Sequence, residues 1–198
     1  MKLEFSDRKL GAIFGFTDHL QKDAPNFSIQ QGVIQLLWNR NEEAVFIHLD
    51  DLRLELKPGQ LLTTTYFQHL RFPANEPPLT ALLFNREFYC IADHDEEVSC
   101  NGILFFGTQD LPIITIPEEQ ERKFELLLEV ILEEFRTVDN IQGDMLQMLL
   151  KRLIIICTRL AKEQHIVREL NDGQIDTIRQ FNVLVDVHFR TLRKVKDY

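Results

Sequence analysis

Between Val33 and Phe106 the apolar positions come in short runs cut by polar turn residues, and helical spacing is absent. Val33 to Trp38 reads as a strand, Asn39-Arg40-Asn41-Glu42 as a polar turn and Ala44 to Leu49 as a second strand. Together they predict a hairpin. Leu52, Leu54 and Leu56 alternate with Arg53, Glu55 and Lys57. That period of two belongs to a strand with one buried face. Pro58-Gly59 follows. Pro fixes the first central residue of a type II turn and Gly accepts positive φ at the second. Leu61 to Phe67, Thr80 to Phe84 and Ile103 to Phe106 complete the runs. Seven or eight short strands, with turns about every ten residues, predict a β-barrel or sandwich.

The pattern changes near residue 112. Pro117 is the only later proline, and Thr115-Ile116-Pro117-Glu118 has the spacing of a capping box. Phe124, Leu127, Leu128, Ile131, Leu132 and Phe135 then recur at helical spacing as one apolar stripe. Asp139 with Gln142 predicts the next cap. The helix that follows is apolar almost all round, from Met145 and Leu146 to Cys157 and Leu160. Such a helix needs cover on more than one side. A second subunit supplies it through Met145, Met148, Leu149, Leu153 and Ile156, so a homodimer is expected. Ile175, Ile178, Phe181, Val185, Phe189 and Leu192 mark a third helix, capped by Asn171 or Asp172. The expected fold class is therefore α+β. Residues 1–112 form the β-domain, 113–172 the helical dimerisation segment and 173–198 a linker helix.

At 198 residues the chain has room for one domain with a helical appendage. Fifteen Phe against three Tyr and one Trp indicate an apolar, phenylalanine-rich core. The formal net charge of −9 makes the chain a poor non-specific partner for nucleic acid or anionic membrane. The charge is uneven: Arg179, Arg190, Arg193, Lys194 and Lys196 make the end of the chain basic. Cys90, Cys100 and Cys157 show no Cys-x-x-Cys spacing and read as reduced thiols. There is no apolar signal core at the N-terminus, and the run from Leu153 to Cys157 is too short to span a bilayer. A cytoplasmic protein with no membrane partner is expected.

Strong catalytic signatures are missing: no phosphate loop, no Gly-x-Gly-x-x-Gly and no Gly-x-Ser-x-Gly. The six histidines never fall at i, i+2 or i, i+4, the spacings that bring two imidazoles to one metal. His94, between Asp93 and Asp95-Glu96-Glu97 and ahead of Cys100, reads as part of a solvated acidic loop. No enzyme, metal or other cofactor is therefore expected. Trp38, Phe46, His48, Tyr66, His69 and Phe84 lie on or near predicted strands. They fit a ligand cavity with an apolar wall and a few polar handles, and equally the ordinary filling of a small barrel.

The chain as a whole resembles the N-terminal part of AraC-type transcriptional regulators. Leu56-Lys57-Pro58-Gly59-Gln60-Leu61-Leu62, followed by His69, is similar to a barrel stretch of that family. So are Phe84-Asn85-Arg86-Glu87-Phe88-Tyr89-Cys90-Ile91 and the segment from His94 to Gly102. Ile178 to Arg190 resembles the opening helix of the family's DNA-binding domain. The resemblance implies a cupin-like β-barrel, a dimerising helical segment and a small-molecule effector bound in the barrel. It implies DNA binding only through a helix-turn-helix domain, of which this chain would hold no more than the start. It departs from metal-binding cupins at His48, which Leu49 and Asp50 follow in place of a paired histidine. A stand-alone cupin small-molecule-binding protein, a metal-dependent cupin enzyme and a ligand-free structural adaptor are the competing expectations.

Overall fold

The computed structural model describes residues 1–29, 32–66, 68–89, 104–105, 111–164 and 184. In chain order the elements are β1 (Lys2–Asp7), β2 (Ala12–Thr17), α1 (Leu20–Asp23), β3 (Ile34–Trp38), β4 (Val45–Leu49) and β5 (Leu52–Leu56). Then come β6 (Gln60–Thr64), β7 (Leu70–Arg71), β8 (Thr80–Phe84), β9 (Ile113–Thr115), α2 (Glu118–Glu134) and α3 (Gln142–Glu163). Apart from Leu184, which is helical, the third predicted helix lies outside the described residues.

The strands form two separate antiparallel sheets. One has six strands in the order β1-β2-β8-β3-β6-β9, the other three in the order β5-β4-β7. The larger sheet is the middle of three layers. Ala12, Phe14, Phe16, Ile34, Leu36, Leu61, Leu82, Phe84 and Ile114 turn to α2 and α3, in one core with Phe124, Leu128, Ile131, Leu150 and Ile154. The alternate positions Leu37, Leu62, Ala81 and Leu83 turn to the smaller sheet and meet Val45, Ile47 and Leu56. Burial on both faces explains why Thr80 to Phe84 reads as an unbroken apolar run. The smaller sheet has a solvent-facing side, and its strand β4 alternates buried and half-buried residues.

Four expectations change. Val33–Trp38 and Ala44–Leu49 are both strands but not a hairpin: β3 pairs with β6 and β8, whereas β4 pairs with β5 and β7. The polar stretch between them carries the chain from one sheet to the other. Asn39 makes the transfer possible. It is fully buried, and its side-chain amide donates to Glu43 O (2.9 Å) and Leu56 O (2.7 Å) while Oδ1 accepts from the Asn41 N–H (3.0 Å). Next, Leu104 and Phe105 are helical rather than part of a strand. The Leu104 carbonyl accepts from Thr63 Oγ1 (2.6 Å), so this piece docks on the helix-side face of β6.

Third, the capping box at Thr115 does not form. Thr115 belongs to β9, where Oγ1 accepts from Gln60 Nε2 (3.1 Å), and the residue preceding α2 is Pro117. The sheet thus runs past residue 112. Fourth, Asp139 acts one step early: its carboxylate accepts from the Ile141 N–H (2.9 Å), and Gln142 Nε2 reaches back to Glu134 O (2.9 Å). The type II turn forms as expected. Gly59 takes φ +71° and the Gln60 N–H bonds to Lys57 O (3.1 Å).

Candidate functional site

The six ligand-pocket residues expected from the sequence divide between two places. Trp38, Tyr66 and Phe84 belong to the core between the large sheet and the helices. Phe84 is fully buried and meets Tyr89 and Phe105 edge-on, with centroids 6.1 Å away in both cases. Trp38 meets Phe124 of α2 at 6.0 Å, and the Arg40 guanidinium lies 5.1 Å from its ring. Phe46 and His48 sit on the other side of the molecule, on the outer face of the small sheet. Val45, Ile47 and Leu49 take the inward positions of that strand. Arg53 stacks over the Phe46 ring at 4.7 Å, and His48 lies in register between Arg53 and Arg71. His69 is 87% exposed, with Nδ1 3.5 Å from the Asp50 carboxylate. These six side chains do not line one cavity.

The helix-side core is close to full. Leu36, Trp38, Leu61, Phe124 and Leu128 are among the residues around a cavity of about 20 Å³. That is space for about one water, well below the several hundred Å³ of a ligand pocket. A larger concavity, about 510 Å³, opens between the β1–β2 turn and the start of α3. Phe5 and Phe88 provide its apolar surface, Arg8 and Lys9 one charge and Asp139 and Asp144 the other. It holds none of the six expected residues.

The space between the sheets carries a different signal. Register aligns Gly15, Leu83, Gln35 and Thr64 in one row across β2, β8, β3 and β6. All four lie on the face turned to the small sheet. At one end of the row the Phe27 ring covers Gly15 so closely that a Cβ there would lie 2.5 Å from Cε1. At the other end, Gln35 Oε1 and Thr64 Oγ1 are buried, with no hydrogen-bond partner among the described residues. The sequence held a sign of this pair: Gln35 is the lone amide in the apolar run from Val33 to Trp38.

Of the five expected dimer-helix residues, Met145 and Met148 are exposed, Met148 by 58%. Leu149 and Ile156 are partly buried against the helix-side core, and Leu153 is inside it. Cys157, on the inward face of α3, is fully buried, and burial pushes its thiol up to about 12. No group of three or more metal-capable side chains occurs among the described residues. His94 and Cys100 lie outside them. No described helix is long and apolar enough to cross a membrane.

No family model matches the chain, and no curated protein does. Among solved structures the chain is similar to one described as the AraC-like transcriptional activator CuxR. The likeness has a TM-score of 0.38 and 10% identity, and covers 94% of this chain and 60% of that one. The chain therefore spans less than two thirds of that activator's length.

Proposed function

We propose that this chain is the ligand-sensing and dimerisation part of an AraC-type transcription regulator, with a cupin-like sandwich as sensor. The observation that carries the reading is the direct seating of the α2–α3 pair on the large sheet, with α3 still presenting Met145 and Met148 to solvent. The sequence resemblance supports the same assignment. A small-molecule effector held between the two sheets displaces the strands it touches. Their opposite faces carry α2 and α3. Two copies meet through the exposed face of α3, and the relative placement of their helices sets how the regulator's DNA-binding domains are presented. The effector shifts this equilibrium by its difference in affinity for the two arrangements and by nothing else. DNA is contacted by the helix-turn-helix domains. The β-domain and α2–α3 carry out no chemical reaction and use no cofactor.

Sedimentation equilibrium at about 50 μM tests the reading. The wild type is expected to be a dimer and Met148→Glu a monomer with an unchanged thermal melt, since a surface substitution moves stability by about 0.5 kcal/mol or less. A wild type that is strictly monomeric at that concentration overturns the dimer half.

A further inference from the structure

Side-chain polar groups buried in this fold are, as a rule, spoken for. Thr17 Oγ1 donates to Asp23 (2.6 Å), Thr63 to Leu104 O (2.6 Å) and Thr158 to Ile154 O (2.8 Å). Asn85 donates to Gly11 O (2.7 Å) and accepts from the Ile13 N–H (2.8 Å). Among the described residues His19 Nδ1 is one exception, and Gln35 and Thr64 are two more that stand side by side. They are direct cross-strand partners on the two strands β3 and β6. Thr64 is 2% exposed, yet its hydroxyl, like the Gln35 carbonyl oxygen, has no hydrogen-bond partner among the described residues. Both oxygens are shielded from solvent, so each has given up its hydration without a replacement from the described residues, which costs stability. Valine and leucine fill the same space without that cost.

We propose that Gln35 and Thr64 are the polar anchor for a small uncharged molecule bound between the two sheets. The molecule presents an O–H or N–H donor on an otherwise apolar body. This rests on the sensing half of the proposed function and gives the effector its chemical class. The donor follows from the atoms: Gln35 Oε1 can only accept, and Thr64 Oγ1 accepts or donates. The neutrality follows from the surroundings. None of the fully buried residues described carries a charge, so a carboxylate, phosphate or ammonium would enter without a counter-ion. The apolar body follows from the neighbours Leu37, Leu62, Leu83 and Phe27, which offer no further partner atoms. A sugar, with hydroxyls on every side, would leave most of them unpaired.

The test compares the wild type with Thr64→Val, Gln35→Leu and the double variant by thermal melting. Each melts alone and with millimolar phenol, benzyl alcohol, acetanilide, benzoate or glucose. Without additive the double variant is expected to melt about 2–4 °C higher than wild type, because two unpaired oxygens are gone. At least one of the three neutral donors stabilises the wild type and binds the double variant about tenfold more weakly, while benzoate and glucose do nothing. A double variant that melts lower overturns the proposal, because its oxygens were then satisfied, by an internal water for instance. Equal stabilisation of both proteins removes the anchor but leaves the sensing reading standing. A response confined to benzoate or glucose, or to no compound, overturns the ligand class whatever the oligomeric state.

Discussion

The two faces of the six-stranded sheet are made from the same strands, residue by residue, and they are built differently. The face under α2 and α3 is aromatic and close-packed. Phe14 stacks on Phe88 at 4.8 Å and tilts against Phe135 at 5.0 Å, Trp38 meets Phe124, and about 20 Å³ is left over. Thr63, one of the polar residues on this face, is bonded. The face toward the small sheet is mostly aliphatic, has the Phe27 ring pressed onto Gly15, and keeps two oxygens on neighbouring strands without a partner among the described residues. Thr63 and Thr64 are chain neighbours, and the pleat alone sends them to opposite faces. One face bonds its described threonine hydroxyl, and the other leaves two buried oxygens without a partner among the described residues, which costs stability.

The contrast is broken most forcefully at Phe124. Truncation to Ala removes the Trp38 contact and enlarges the cavity beside it. A loss of about 3–5 kcal/mol is expected in urea denaturation, the range for deleting a buried aromatic ring. A loss below about 1 kcal/mol would mean that the helices are loosely held, and the coupling between sheet and α3 would go with them.

Gly15→Ala probes the other face. The new Cβ meets the Phe27 ring at 2.5 Å, and that ring is itself buried. The ring has to move, at an expected cost of about 1–3 kcal/mol. Pairing the change with Phe27→Leu returns part of it, so the two substitutions are non-additive in a double-mutant cycle. Strict additivity would show that Phe27 does not close the inter-sheet space in solution.

How much of this was open to a reader of the sequence depends on how many sides of each element are buried. The stripe from Phe124 to Phe135 is one-sided, and its period gave α2 directly. The turn at Pro58-Gly59 was equally plain, because only a narrow set of backbone angles fits that pair. β2 went unseen. Ala-Ile-Phe-Gly-Phe-Thr is buried on both faces of the sheet, so no alternation survives to mark it. β1 kept its alternation, with Leu3 and Phe5 turned to the core, but its residues are only partly buried and the signal is weak.

The sheet change at Asn39 was hidden for another reason. Polar turn residues announce that the chain bends, and the bonds that send it to a second sheet run from the Asn39 amide to the carbonyls of Glu43 and Leu56. Phe46 and His48 were misplaced because Val45 to Leu49 is apolar at nearly every position, which leaves the inward set undecided until β5 and β7 pair with it. Gln35 was the opposite case: a lone amide among apolar residues is visible in the sequence, but its row with Thr64 requires the register.

The smallest effect belongs to Cys157, and it sharpens the claim that the helix-side face excludes water. Its thiol is buried, and burial lifts it to about 12 against a backbone hydrogen bond that lowers it. The sign is fixed by linkage. The unfolded chain releases this proton near the ordinary thiol value while the folded chain holds it, so the contribution is complete below about pH 9 and is lost as pH rises toward 12. At neutral pH nothing changes. Between pH 9 and 12 the wild type loses stability more steeply than Cys157→Ala, which starts lower because of its cavity but has no thiol to ionise. Urea midpoints of the two proteins across that window measure the difference in slope. The same burial keeps the folded thiol from aromatic disulfide reagents until the protein unfolds, because attack requires an accessible thiolate. A Cys157 that reacts as fast in native buffer as in urea would place α3 away from the sheet, and the difference between the two faces would disappear.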